Sequence, residues 1–214
     1  MSTVSSRVLL VAASFTFVPA AVIVGACGGK DPGAPGDASL PPGPDVGHLD
    51  HPLHPDASCP VTIETPPLLP ATHVPIGTAI EWSSNPPSSG PHFPIWAAFK
   101  TFPTPVDRGY LVHDLEHGAV VLFYRCDKAE GCPDVVAALE RVVASIPTDP
   151  LCAADVRVRA VITPDPLLDV PVAAAAWGWT YKADCVDEPT LGEFARAHYG
   201  NGPEVICANG QQFF

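Results

Sequence analysis

Three residues with the means to do chemistry stand within five positions of one another: His113, Glu116 and His117, in the string LVHDLEHGAVVLFY over residues 111–124. His113 and His117 are spaced i and i+4. On a helix that spacing brings their Cβ atoms to about 5–6 Å, close enough for both imidazoles to reach one ion. Zinc–nitrogen bonds of about 2.0–2.1 Å are compatible with such a pair. Glu116 completes an H-x-x-E-H string, the inverzincin arrangement, in which the glutamate serves as a general base. The two histidines do not make a site without further ligands. The candidates are His92, in the turn SGPHFP, and His73, in THVPIG. With imidazole and carboxylate donors, and no methionine beyond Met1, the ions that fit are zinc or copper(II), with iron and nickel behind them.

These residues must be positioned by a fold, and the sequence outlines one. Asp107 reads as the cap of a short helix over 108–117, and Gly118 as its end. AVVLFYR, 119–125, is apolar without interruption and reads as a buried strand. A second helix follows Cys132-Pro133, with Val135, Val136, Leu139, Val142, Val143 and Ile146 on one face and Pro147 as its stop. GTAIEW (77–82) reads as a short strand. VRVRAVI (156–162) alternates and reads as another, with Arg157 and Arg159 turned to solvent. Residues 172–183 read as one further strand. A last helix starts near Asp187 and stops at Gly200, with His198 on its apolar face as a packing residue. The order predicts an α+β domain: a small mixed or antiparallel sheet with helices packed on one face, stabilised by disulfides.

The first part of the chain reads differently. Residues 8–26 are almost wholly apolar and follow Arg7, as in a secretory signal. The run ends in VGAC (24–27), which resembles a bacterial lipobox, so Cys27 is the expected lipidated N-terminus after removal of residues 1–26. Residues 27–58 are rich in Gly, Pro and Asp and read as a flexible linker. They carry His48, His51 and His54 at intervals of three. Residues 59–214 form the expected single globular domain. The expected location is the cell envelope, with the chain lipid-anchored at the periplasmic face or outer membrane. Six cysteines follow Cys27: Cys59, Cys126, Cys132, Cys152, Cys185 and Cys207. An even number in an exported chain reads as a disulfide framework, with Cys126–Cys132 the expected local pair. The formal net charge of −12 excludes a nucleic-acid partner, which would require a basic footprint. The membrane, reached through the N-terminal lipid, is the one partner the sequence names.

The stretch from His73 to Tyr124 resembles a bacterial family known as domain of unknown function 3105. The resemblance is carried by HVPIG (73–77), NPPSSGPH (85–92), PV (105–106) and VHDLEHGAVVLFY (112–124), with TPDP, AAWGW and FARAHYGNGPE further on. It spans roughly residues 70–205. By match, the functional candidates it implies are His73, His92, His113, Glu116 and His117. It implies no reaction.

Three readings of these residues stand. In the first, His92, His113 and His117 hold a transition metal, with His73 or Glu116 completing the site. In the second, Glu116 activates a metal-bound water in a hydrolase, which requires three protein ligands and an open position rather than four. In the third, the histidines are satisfied core groups, Glu116 pairs with Arg108 or Arg125, and the domain is a non-catalytic interaction module. The sequence favours a non-enzyme.

Overall fold

The computed structural model describes residues 59–128 and 131–212. The signal, Cys27, and the linker histidines lie outside the described residues. The elements are β1 (Val61–Glu64), α1 (Arg108–Glu116), β2 (Val120–Tyr124), α2 (Pro133–Ser145), β3 (Ala160–Pro164), β4 (Val172–Ala176), β5 (Trp179–Ala183) and α3 (Glu188–His198). The five strands form one sheet in the order β1-β5-β4-β2-β3. β2 and β3 are parallel, and the other pairings are antiparallel. The parallel pair is joined through α2, the crossover that parallel strands need. The domain is therefore α+β with a mixed sheet, as the sequence predicts.

β2 is buried on both faces, which explains its unbroken apolar run. Val120, Leu122 and Tyr124 face one core with Leu139 and Val142 of α2 and Leu191 and Phe194 of α3. Val121 and Phe123 face a second core with Leu111, Val112 and Leu115 of α1 and with Ala97, Phe102 and Val106 of the preceding loop. Thus α2 and α3 share one face, as expected, while α1 lies on the other. That second face is the one that carries the histidines.

Several boundaries differ from the sequence reading. Residues 77–82 form no strand; the first strand is Val61–Glu64, anchored by pairing with β5. Residues 172–183 are two strands, folded into a hairpin at Gly178, whose φ of 76° is open to glycine. The alternating stretch at 156–162 becomes a strand only from Ala160, and Arg159 is 2 % exposed rather than solvated. Its guanidinium is buried because it has partners: Asp149 Oδ2 at 2.8 Å and the His117 carbonyl at 2.6 Å both accept from it.

The six cysteines pair as Cys59–Cys185, Cys126–Cys132 and Cys152–Cys207. The expected Cys126–Cys132 bridge is present. Cys59–Cys185 continues the β1–β5 ladder, two residues beyond the Val61↔Ala183 pair. No helix among the described residues is long and apolar enough to cross a membrane.

Candidate metal centre

The centre is assembled by α1 and by the irregular chain that precedes it. Asp107 caps α1 by accepting from the Gly109 N–H at 2.8 Å. Gly118, with φ of 80°, ends it, and its N–H donates to the Leu115 carbonyl. The helix is embedded: every residue from Leu111 to Glu116 is buried, so polar side chains on it must find partners within the protein.

His113 finds one in the loop. Its Nδ1 lies 2.6 Å from the Phe93 carbonyl oxygen. Phe93 can come this close because position 109 is glycine: a Cβ there would stand 2.6 Å from the Phe93 ring. The Phe93 N–H in turn donates to the Gly109 carbonyl at 3.1 Å. His92 is held in the same way, with Nδ1 2.8 Å from the Gly90 carbonyl oxygen. Gly90 has a φ of 115°, a conformation closed to residues with a Cβ. His73 is brought alongside by a parallel bridge, in which the Val74 N–H donates to the His92 carbonyl and the His92 N–H to the Thr72 carbonyl.

A carbonyl oxygen only accepts, so Nδ1 of His92 and of His113 must carry the proton. In each neutral ring the lone pair is then on Nε2. Glu116 Oε2 lies 3.0 Å from His92 Nε2 and 3.9 Å from His113 Nε2. Tetrahedral ligands at zinc distances are separated by about 3.3 Å, a value these two separations bracket. Ligand atoms of His73, His92, His113 and Glu116 all lie within 4.8 Å of one another. The three rings have centroids 4.8–5.0 Å apart. His92 and Glu116 approach without the alignment of a hydrogen bond, and His92 Nε2 has no hydrogen-bond partner among the described residues. His73 is exposed while the other three are buried, so the cluster meets solvent on the His73 side.

The electrostatics suit a cation. Burial holds the His113 pKa below its ordinary value, with the His92 and His73 rings acting in the same direction. Burial alone would raise the Glu116 carboxyl, but the His92 ring against it and positive charge on the surrounding imidazoles, the charge a bound metal ion would replace, bring it below the ordinary carboxylate value. Neutral imidazole and ionised carboxylate are the forms that bind metal.

His117, the i+4 partner of His113, does not join this group of four. Its Nε2 faces Glu204 Oε2 at 3.2 Å, and its ring stands nearly perpendicular to that of His113. Its pKa is lowered to about 4, first by burial. Glu116 pairs with neither Arg108 nor Arg125: Arg108 binds Asp165 and Asn85, and Arg125 binds Asp127 and the Leu168 carbonyl. Ser89, in the turn that presents His92, accepts from the Leu69 N–H at 3.1 Å through its Oγ. Asp114 is fully buried, and burial raises its pKa well above the ordinary range. His198 packs as predicted, stacked on Trp179 at 4.2 Å between ring centroids.

Two further side chains border the cluster. Trp96 packs against His113 and His117, at 5.2 and 4.5 Å between centroids. Glu204 lies far along the chain, in GNGPE, and only the fold brings it to His117.

The family model described as protein of unknown function (DUF3105) matches residues 73–210, and the chain belongs to this family. The matched segment contains every residue of the cluster. Neither a curated protein nor a solved structure matches the chain.

Proposed function

We propose that this family member is a metal-holding domain, binding one divalent transition-metal ion through His73, His92, His113 and Glu116. The observation that carries the reading is the pair of backbone carbonyls, those of Gly90 and Phe93, that fix Nδ1 of His92 and His113. Metal-ligating histidines characteristically give their second nitrogen to such an acceptor, which fixes the tautomer and aims the lone pair. Here both lone pairs are directed from Nε2, and Glu116 Oε2 lies beside both. Three imidazoles and a carboxylate fit zinc or copper(II).

Four protein donors favour retention of an ion over catalysis, because catalytic sites keep a position open. The hydrolase reading needs Glu116 to stand back from the ion as a base. Its 3.0 Å approach to His92 Nε2 supports a ligand role instead.

The apolar run at 8–26 and VGAC support an exported chain anchored to a membrane by lipid on Cys27. Three disulfides among the described residues agree with an oxidising compartment such as the cell envelope. The domain would then present its ion site to that compartment at the end of the 27–58 tether.

The test is metal content of the full chain purified without a histidine tag or chelator, compared with His92→Ala and His113→Ala. Bound metal in the wild type that is lost in both variants is the expected result. A wild-type protein that retains no metal and takes up neither added zinc nor added copper(II) would sink the reading.

A further inference from the structure

We propose that the centre holds a second divalent transition-metal ion, in a subsite formed by His117 and Glu204 with Glu116 as the carboxylate shared between the two ions. The proposal rests on the reading of the first cluster as a metal site. Ligand atoms of Glu116, His117 and Glu204 all lie within 4.8 Å of one another. Glu116 thus belongs to both groups. Its carboxylate has two oxygens, and Oε2 is the one turned to His92 and His113. A carboxylate can accept on both oxygens, so a bridge leaves the first group intact. Two-metal sites place their ions about 3.5–4 Å apart, a spacing such a bridge spans.

His117 supplies an independent observation. Its side chain is 2 % exposed, and its Nδ1 is buried with no hydrogen-bond partner among the described residues. Its other nitrogen faces the Glu204 carboxylate at 3.2 Å. A neutral ring carries one proton. If Nε2 has it, Nδ1 is an unmatched buried acceptor. If Nδ1 has it, the Nε2 lone pair confronts a carboxylate. A cation between Nε2 and the Glu204 carboxylate relieves the second arrangement and makes Nε2 the ligand atom.

The approach of Glu204 is built into the backbone. Its N–H donates to the Glu116 carbonyl at 3.0 Å, and the Gly200 N–H donates to the Gly118 carbonyl at 2.8 Å. A Cβ on Gly202 would lie 2.2 Å from the Glu116 carbonyl oxygen, so glycine is what lets the segment lie against the end of α1. The Cys152–Cys207 bridge ties the same segment down three residues beyond Glu204. The Glu204 side chain is 51 % exposed, which opens this subsite to solvent. One imidazole and two carboxylates suit zinc, manganese, iron or cobalt. Three protein donors leave a position for water or a small anion, unlike the four-donor group beside it.

The experiment uses the full chain and Glu204→Gln, a half-exposed position at which the amide keeps the shape of the side chain and removes its charge. Zinc is titrated and counted by native mass spectrometry. Copper(II) is then added to each protein and its electron paramagnetic resonance recorded. The expected result is two zinc ions in the wild type and one in Glu204→Gln, with a spin-coupled copper pair in the wild type that becomes an isolated signal in the variant. One ion in both proteins overturns the second subsite and leaves the first reading standing. Two uncoupled ions, with an unchanged count in the variant, also overturn it, since the second ion would then lie elsewhere, for example on His48, His51 and His54. No ion in either protein overturns the metal reading altogether.

Discussion

His92 Nε2 and Glu116 Oε2 lie 3.0 Å apart in a buried position, while the opposite ring nitrogen of His92 is committed to the Gly90 carbonyl. A lone pair and a carboxylate repel at that distance, and a cation placed between them, a proton or a metal ion, relieves the repulsion. The two compete for one place. Zinc uptake is therefore expected to release protons, because a ligand must be deprotonated to bind. Calorimetric titrations in buffers of different ionisation enthalpy measure that release directly. Identical heats in all buffers would contradict the competition.

Glu116→Gln separates binding from folding. The amide keeps the shape of the side chain but supplies no anionic ligand. Its N–H can donate to the His92 Nε2 lone pair, so the buried nitrogen is satisfied without any cation. The expected change in metal-free stability is within about 1 kcal/mol, the net worth of one hydrogen bond. The ion, in contrast, should be lost. Urea unfolding in chelator and metal content after dialysis read the two effects. A large loss of metal-free stability would mean that Glu116 is chiefly a structural partner.

Gly109 is where packing and the site meet. A methyl group at this position collides with the Phe93 ring, and the Phe93 carbonyl is what orients His113. Gly109→Ala should cost about 1–3 kcal/mol through overpacking. It should also weaken metal binding more than a comparable core substitution far from the loop, such as Leu139→Met. Thermal unfolding and zinc affinity of both variants make the comparison. Equal affinities would show that the carbonyl contact does not set the ring.

Much of this centre was legible because its signals are local. H-x-x-E-H on a short capped helix needs only chain spacing, and SGPH needs only turn chemistry to present His92. The unbroken run of β2 and the Pro133 start of α2 were legible for the same reason. What failed depends on contacts distant in sequence. His117 was paired with His113 by helical spacing, yet Glu204 draws its Nε2 aside. Arg159 has the alternation of a solvent-facing strand residue. Asp149 and the His117 carbonyl give it reasons to be buried that no periodicity records. Asp114 reads as solvated by type, but every residue from Leu111 to Glu116 of α1 is buried. The strand at Val61–Glu64 is only four residues long, too short for a periodic signal, and its partner lies more than a hundred positions away.

Arg159 and Asp149 are both nearly inaccessible, and Tyr199 Oη donates to the same Asp149 oxygen at 2.8 Å. Burial opposes the Asp149 charge, but the Leu151 N–H, Tyr199 and Arg159 together hold its pKa below the ordinary value. Arg159→Met removes one charge and strands the other. The expected cost is about 3–5 kcal/mol. The double variant Arg159→Met with Asp149→Asn should recover part of it, because no unpaired charge remains. Denaturant unfolding of the wild type, the two single variants and the double variant gives the coupling. Additive losses would mean that the pair contributes nothing as a pair.

His198 makes stability depend on pH at a point remote from the cluster. Its ring stacks on Trp179 and packs against Phe194, and burial lowers its pKa from 6.5 to about 4. Above pH 6.5 the ring is neutral in both folded and unfolded chains and contributes no pH dependence. Between 6.5 and about 4 the unfolded chain binds a proton that the folded one refuses, so stability falls as pH falls. The slope from this one group is at most about 1.4 kcal/mol per pH unit. It vanishes below about 4, where both states are protonated. Metal-free protein in chelator should therefore lose stability from pH 7 to 5, and His198→Phe, which keeps the aromatic stack, should lose less over the same range. Urea unfolding at each pH decides it: parallel curves for the two proteins would remove His198 as a source of the dependence.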